Sequence, residues 1–267
     1  MSDPIIQTQT IAGIKSGVCV TDKAATQQTP VLLLHGWGAK IQSFWPVAEN
    51  LAPKGYQLHL LDLPGFGISD PPPTTWGVAD YMRFVLAYLD SAQLDRVAVI
   101  GHSFGGRIAL MLAADHPDRI SKMILANSAG LVTPPTIKQM IRNGLVRAAR
   151  DTLGKLGLES LQTRLRERYN QRYASEDYLN AGDLRETFLQ VIAQDLTDYA
   201  RRVQAPTVLV WGDQDTDTPL WQGRKLEQLI PDAGLIVFEG AGHYSYLDRL
   251  YDFIRIVDHF LRDTPET

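Results

Sequence analysis

Apolar residues along this chain fall into short unbroken runs separated by stretches of helical spacing. Val31–Leu34, Gln57–Leu61, Val97–Ile100, Lys122–Ala126, Thr207–Trp211 and Leu235–Phe238 read as strands. They are nearly all apolar instead of alternating, which is the pattern of strands covered on both faces. Between them, Phe44–Leu51, Val78–Asp90, Phe104–Ala114, Pro219–Leu229 and Leu247–Leu261 read as helices. Tyr81, Phe84, Val85, Tyr88 and Leu89, and again Phe253, Ile254, Val257 and Phe260, recur every three to four residues. Strands alternating with helices build βαβ units, so the expectation is an α/β fold with a mostly parallel, doubly wound sheet. Ahead of it, Ile5–Ile11 and Gly17–Thr21, with Gly13 between them, suggest an antiparallel hairpin.

The rhythm stops after Gly130. From 131 to 202 no strand pattern occurs, the segment is helix-prone, and Pro134 and Pro135 mark its entry and Pro206 the far side of its exit. A structureless loop of that length is uncommon in a compact domain. The reading is therefore a core made of 1–130 and 203–267, interrupted by a helical insertion at 131–202. The insertion holds 12 Lys/Arg against 9 Asp/Glu, a local charge of +3, and leaves −7 on the remainder.

Composition narrows the classes. The chain has 267 residues, 45% apolar and 21% charged, with a net charge of −4. This suits one large globular domain. No basic block points to nucleic acid. No apolar run approaches the ~18–20 residues of a membrane span, and Met1-Ser2-Asp3-Pro4 lacks the basic start and apolar run of a signal peptide. A cytoplasmic setting and a monomer are the expectations. The one cysteine, Cys19, lies in a strand-like run and reads as a buried structural thiol.

The candidate chemistry begins at Gly101-His102-Ser103-Phe104-Gly105-Gly106, a G-x-S-x-G pattern with an apolar strand before it and a helix after it. A tight strand-to-helix turn needs small neighbours and presents the serine above the sheet, while the helix aims its N-terminal amides at the reacting centre. A serine needs a base, and the base needs an orienting partner. Of the six histidines, His59 and His259 lie within elements, His116 precedes Pro117 at a helix end, His102 adjoins the serine on a turn where neighbours point apart, and His35 suits support of the loop after it. His243 follows the strand Leu235–Phe238 in a glycine-flanked loop and is the candidate base. For the acid, Asp213, Asp215 and Asp217 compete after Thr207–Trp211. Asp217 precedes Pro219 by two residues and suggests a helix cap. Spacing does not separate Asp213 from Asp215.

Taken together, His35-Gly36-Trp37-Gly38, Asp62-Leu63-Pro64-Gly65-Phe66-Gly67-Ile68-Ser69, the 101–106 turn, Trp211-Gly212-Asp213-Gln214-Asp215 and Gly242-His243 resemble the α/β-hydrolase superfamily over nearly the whole chain. The resemblance implies an α/β-hydrolase fold whose helical insertion forms a lid, and a triad of Ser103, Asp215 and His243. In that family the acid usually stands three residues after the Gly of the W-G pair, which is Asp215; the alternative position falls near Asn127, which is not a carboxylate. It implies an oxyanion hole from the amides of Trp37 and Phe104, and a pocket near His102 and Tyr244. The Asp62–Ser69 stretch is structural in the family.

The implied activity is hydrolysis of a small-molecule carboxylic ester or related acyl substrate through an acyl-enzyme. No cofactor or metal is implied, since the histidines and Cys19 lack ligand spacing. A carbon–carbon bond hydrolase of ring-cleavage products shares the triad, but those enzymes usually carry Asn before the nucleophile and Trp after the histidine, where this chain has His102 and Tyr244. Dehalogenases and epoxide hydrolases use an Asp nucleophile, which Ser103 opposes. Perhydrolysis by the same triad, and a slow-turnover ligand sensor on the same fold, are the remaining alternatives.

Overall fold

The computed structural model describes residues 3–21, 29–132, 137–173 and 175–262. Its centre is one eight-stranded sheet. The strands are β1 (Gln7–Ile11), β2 (Ile14–Val20), β3 (Val31–Leu34), β4 (Leu58–Leu61), β5 (Val97–His102), β6 (Ile120–Ala126), β7 (Thr207–Gly212) and β8 (Ala233–Phe238), in the spatial order β1-β2-β4-β3-β5-β6-β7-β8. β1 and β2 form the antiparallel hairpin, and β2 runs antiparallel to β4; every later pairing is parallel. The hairpin is tighter than the sequence suggests. Ile11 pairs Ile14 across Ala12-Gly13, and both turn residues have positive φ (47° and 83°). That is the primed turn whose twist matches flanking strands, so β2 begins at Ile14 and not at Gly17.

The helices are α1 (Ile41–Leu51), α2 (Val78–Ser91), α3 (Phe104–Asp115), α4 (Ile137–Lys155), α5 (Glu159–Tyr173), α6 (Glu176–Asn180), α7 (Arg185–Ala193), α8 (Thr197–Ala200), α9 (Leu220–Leu229), α10 (Ser245–Asp248) and α11 (Leu250–Leu261). Two buried clusters lie on the two faces of the sheet. Leu32 and Leu34, Val97 and Val99, and Met123 and Leu125 face the cluster that includes α2 and α3. Val31 and Leu33, Ala98 and Ile100, and Ile124 and Ala126 face the cluster that includes α1 and α11. Each central strand must satisfy both, which is why the stretches Val31–Leu34, Val97–Ile100 and Met123–Ala126 are apolar throughout. β8 sits at the sheet edge and is only partly covered.

Among the boundaries that differ from the periodicity are those of α1 and of the closing helix. α1 starts three residues early, at Ile41, because its first N–H donates to the buried Asp62 carboxylate (2.8 Å), which also accepts from the Ile68 amide (3.0 Å). The closing helix is broken at Arg249 (φ −126°, ψ 48°) into α10 and α11. Between β6 and β7 the described residues form the helices α4–α8 and no strand. No helix among the described residues is long and apolar enough to cross a membrane. Cys19 is buried, and burial raises its thiol pKa, the setting of an inert sulfur.

His59 on β4 carries a pH consequence. It is 4% exposed, its Nδ1 pairs with the Tyr88 hydroxyl at 2.7 Å, and its Nε2 has no partner among the described residues. Burial lowers its pKa to about 4. The unfolded chain binds this proton near pH 6.5 and the folded chain does not until about 4, so stability is lost as pH falls through that window. Urea titrations should show wild type losing about 2–3 kcal/mol more between pH 6.5 and 4 than His59→Phe. Equal slopes for the two proteins would dismiss His59 as a source of acid lability.

Candidate active site

The parallel strands all end on one side of the sheet, and the candidate residues leave from those ends, where ligands bind open α/β sheets. β3 runs into His35-Gly36-Trp37, β5 into Ser103, β6 into Asn127, β7 into Asp213–Asp217 and β8 into the loop that carries His243. These five strands are consecutive neighbours in the sheet, so residues more than 200 positions apart in sequence meet over a few strand widths.

Ser103 occupies the turn between β5 and α3 with φ 49° and ψ −108°, a left-handed conformation that is strained for a residue with a Cβ. Close packing holds it there. A Cβ on Gly105 would stand 2.0 Å from the Leu34 carbonyl oxygen, and one on Gly101 would stand 2.8 Å from the Gly105 oxygen. The Ser103 carbonyl accepts from the amides of Gly106, Arg107 and Ala129. The Phe104 N–H, at the first turn of α3, is one of the helix donors without an intrahelical acceptor. The chain entering Trp37 passes alongside: a Cβ on Gly36 would lie 3.4 Å from the Ser103 Cβ. The Trp37 ring packs edge-on against Phe104 and Phe66 at 5.3 and 4.9 Å between centroids.

The three aspartates separate by partner. Asp213 accepts from the Gly240 amide at 2.8 Å and so ties the loop after β7 to the loop after β8. Asp215 is 5% exposed and its Oδ2 meets His243 Nδ1 at 2.9 Å. Asp217 does not cap the following helix: α9 has Pro219 at its N-cap and no side-chain cap. Its amide instead donates to Asp215 Oδ1.

Both oxygens of Asp215 are satisfied. Oδ1 accepts the amides of Asp217 (2.8 Å) and Thr218 (3.0 Å), and Oδ2 accepts from Asn127 Nδ2 (2.5 Å), the Thr218 hydroxyl (2.7 Å) and His243. Burial by itself would raise this carboxyl; the hydrogen bond and charge of His243, followed by Thr218 and Asn127, outweigh it and hold its pKa at about 2. Asn127, in a left-handed conformation (φ 44°), also accepts from the Ser245 hydroxyl and donates to the Gly242 carbonyl (3.3 Å), fixing the histidine loop. Asn127, Thr218 and Ser245 are not marked by sequence motifs. Asn127 stands at the end of β6, beside the strand that carries Ser103, and that placement is the signal that finds it.

Ser103, His243, Trp37 and Phe104 line one cavity of about 340 Å³, together with Arg107 and Asp177. His102 and Tyr244, expected at the pocket, are not among its lining residues. His102 is 1% exposed and its Nε2 donates to the His243 carbonyl at 2.9 Å, so it supports the histidine from behind. Burial, then the charge of His243, lower its pKa to about 3. Tyr244 lies against His102, 4.9 Å between ring centroids, and is 41% exposed. His35 serves the neighbouring loop: its Nε2 accepts from the Leu63 amide (3.0 Å), which leaves Nδ1–H for the Gly36 carbonyl (2.7 Å).

Asp215, Asp217 and His243 bring ligand-type atoms within 4.8 Å of one another. The Asp215 oxygens and His243 Nδ1 are already engaged in mutual hydrogen bonds, so the donor set is that of a hydrogen-bonded relay. A second, shallower concavity of about 710 Å³ lies between β8 and α11 and holds no nucleophile–base pair.

Residues 29–250 match the alpha/beta hydrolase fold family. The chain is 30% identical over 259 residues to a 2-hydroxy-6-oxononadienedioate/2-hydroxy-6-oxononatrienedioate hydrolase of Pseudomonas putida, covering 87% of each chain. It is 32% identical over 248 residues to a pimeloyl-[acyl-carrier protein] methyl ester esterase of Chromobacterium violaceum, covering 88% of this chain and 95% of that one. A solved hydrolase structure from Pseudomonas aeruginosa superposes with a TM-score of 0.73 at 23% identity, over 97% of this chain and 98% of the other. By sequence and architecture, the chain is a hydrolase that belongs to the α/β-hydrolase fold family.

Proposed function

We propose that the protein hydrolyses a carboxylic ester or related acyl substrate through an acyl-enzyme on Ser103. The observation that carries this reading is the Asp215–His243 hydrogen bond (2.9 Å), with His243 lining the same cavity as Ser103, a serine in a strained turn. In the proposed mechanism Asp215 keeps the His243 proton on Nδ1, so Nε2 is free to take the proton of Ser103. Ser103 Oγ attacks the carbonyl carbon, and the negative charge that develops on the carbonyl oxygen falls to the amides of Trp37 and Phe104. Imidazolium His243 then gives its proton to the leaving alkoxide. Water, losing a proton to the same nitrogen, attacks the ester of Ser103 and releases the acid.

In this reading the helices α4–α8 of the insertion act as a lid, since Phe188, Val191 and Ile192 of the insertion line the cavity together with Ser103. A second reading, cleavage of a carbon–carbon bond beside a ketone, is favoured by the Pseudomonas putida relative, whose name gives a 6-oxo diacid without an ester as its substrate. Against it stands His102, buried behind His243 where those enzymes usually carry Asn. The Chromobacterium violaceum relative, by its name a methyl ester esterase, favours the first reading.

The test pairs p-nitrophenyl esters of graded acyl length with a 2-hydroxy-6-oxo-dienoate, and adds fluorophosphonate labelling read by peptide mass. Ester turnover with one label per chain on Ser103 is expected. Turnover of the dienoate alone would move the assignment to carbon–carbon hydrolysis, and a label elsewhere would end the Ser103 assignment. A single burst with no turnover would favour the sensor.

A further inference from the structure

Arg107 is a cation in the candidate cavity that the mechanism leaves unused. It sits on α3 four residues after Ser103, so the two share a helix face about one turn apart. It is 5% exposed and lines the cavity with Ser103 and His243. Its Nη1 donates to the Gln194 carbonyl at 2.8 Å, where the chain following α7 returns to the core. That is its hydrogen bond among the described residues, and a guanidinium offers five N–H donors. No carboxylate among the described residues reaches it within ion-pair distance. Asp195 acts on it only at longer range, and the Asp195 oxygens already accept the amides of Val132 (3.1 Å) and Thr197 (2.8 Å). Burial, opposed by Asp195, lowers the Arg107 pKa to about 10, which leaves it charged at neutral pH.

A buried cation without a close counter-ion is costly, and tying down a backbone carbonyl does not require a charge. The cavity is also polarised. Its two carboxylates, Asp177 and Asp217, act on each other, and Asp177 on His243, so they belong to the histidine side. The wall also contributes the apolar side chains Leu131, Phe188 and Val191. An anionic group entering this cavity is repelled from the histidine side and drawn to Arg107.

We propose that Arg107 is an anion subsite of the cavity, and that the preferred substrates carry a free carboxylate on the acyl part, a few methylenes from the scissile carbonyl. This rests on the serine-hydrolase reading and names the substrate class for it. Arg107 acts as a specificity residue: it binds the far end of the acyl chain and leaves the bond-making to Ser103.

The experiment compares kcat/KM for monomethyl adipate and monomethyl pimelate with methyl hexanoate and methyl heptanoate, by alkali uptake at constant pH. Wild type, Arg107→Gln and Arg107→Lys are assayed in parallel, with Tm recorded for each. Wild type is expected to favour the half esters by roughly 10-fold to 100-fold, the range of one charge-assisted hydrogen-bonded contact. Arg107→Gln should abolish that preference while keeping its neutral-ester kcat/KM within about 3-fold of wild type, and Arg107→Lys should retain part of it. No wild-type preference, or an equal loss on both ester classes in Arg107→Gln, overturns the proposal and leaves Arg107 as a tie for the insertion. A binding arm separates failure of the subsite from failure of the ester reading. Adipate should raise the Tm of wild type and Ser103→Ala but not that of Arg107→Gln. A Tm rise without ester turnover would retain the subsite and reject the ester chemistry; no Tm rise in wild type would reject the subsite.

Discussion

Ser103→Ala is expected to lower kcat by roughly 10⁵-fold to 10⁶-fold, the scale on which loss of a serine nucleophile acts in enzymes of this mechanism. The reason is local. In the proposed mechanism the Ser103 hydroxyl supplies the electron pair that forms the acyl-enzyme, and no other hydroxyl residue among the described residues has a positive φ like that of Ser103 at the start of α3. The scaffold of the turn does not need that oxygen: the Ser103 backbone makes the contacts to Gly106, Arg107, Ala126 and Ala129. Tm should therefore stay close to wild type while turnover disappears. The measurement is kcat for a p-nitrophenyl ester on both proteins, purified apart to exclude carry-over. A residual rate above about one hundredth of wild type would mean that another group carries the reaction.

Asp215→Asn should be the second-largest loss, roughly 10³-fold to 10⁴-fold in kcat, as expected when the imidazole is held in the wrong tautomer. The hydrogen bonds of this site argue for the same outcome. An asparagine has one acceptor oxygen. Two backbone amides, of Asp217 and Thr218, claim the Oδ1 position. That leaves the new NH₂ facing His243 Nδ1 and Asn127 Nδ2, where Oδ2 now accepts from both. To avoid a donor–donor contact, His243 must accept at Nδ1 and carry its proton on Nε2, where it cannot receive one from Ser103. The imidazole Nδ1–H resonance of wild type should be missing from the variant, and kcat should fall with it. A variant that keeps more than about a tenth of wild-type kcat would show that Asp215 does not orient the base.

The wild-type pair has a linkage consequence of its own. Asp215 has a folded pKa of about 2 against an ordinary 3.8, so its contribution to stability is present above pH ~4 and is lost as pH falls toward 2. Its window lies below that of His59, so the two sources of acid lability are separable on one titration.

Much of the architecture is legible in the chain because the covering of the sheet is written in it. A strand stretch buried on both faces must be apolar at every position, so Val31–Leu34, Val97–Ile100 and Met123–Ala126 stand out without reference to their neighbours. The G-x-S-x-G turn is legible for a similar reason, since its steric limits act within six residues. Element ends set by distant groups are not. α1 begins where the Asp62 carboxylate, 21 positions later, reaches its first amide, and the break at Arg249 lies within a run whose apolar spacing is continuous. Among the three aspartates of one loop, spacing offered no choice. Asp213 faces Gly240 and Asp215 faces His243 only because β8 pairs beside β7 and brings its loop alongside.

What the sequence alone determined is the fold class, the order of the strands along the chain, and the tight turn holding Ser103, all of which rest on local sterics and on burial of both sheet faces. The tertiary structure decided the rest: that Asp215, implied by the family resemblance but not by spacing, is the aspartate of its loop that meets the histidine, that Asn127, Thr218 and Ser245 complete that pairing, that His102 stands behind His243 instead of lining the cavity, and that Arg107 borders the cavity. Those outcomes depend on distances between strand ends and on the path of the insertion between β6 and β7, quantities set by long-range pairing that no local pattern encodes.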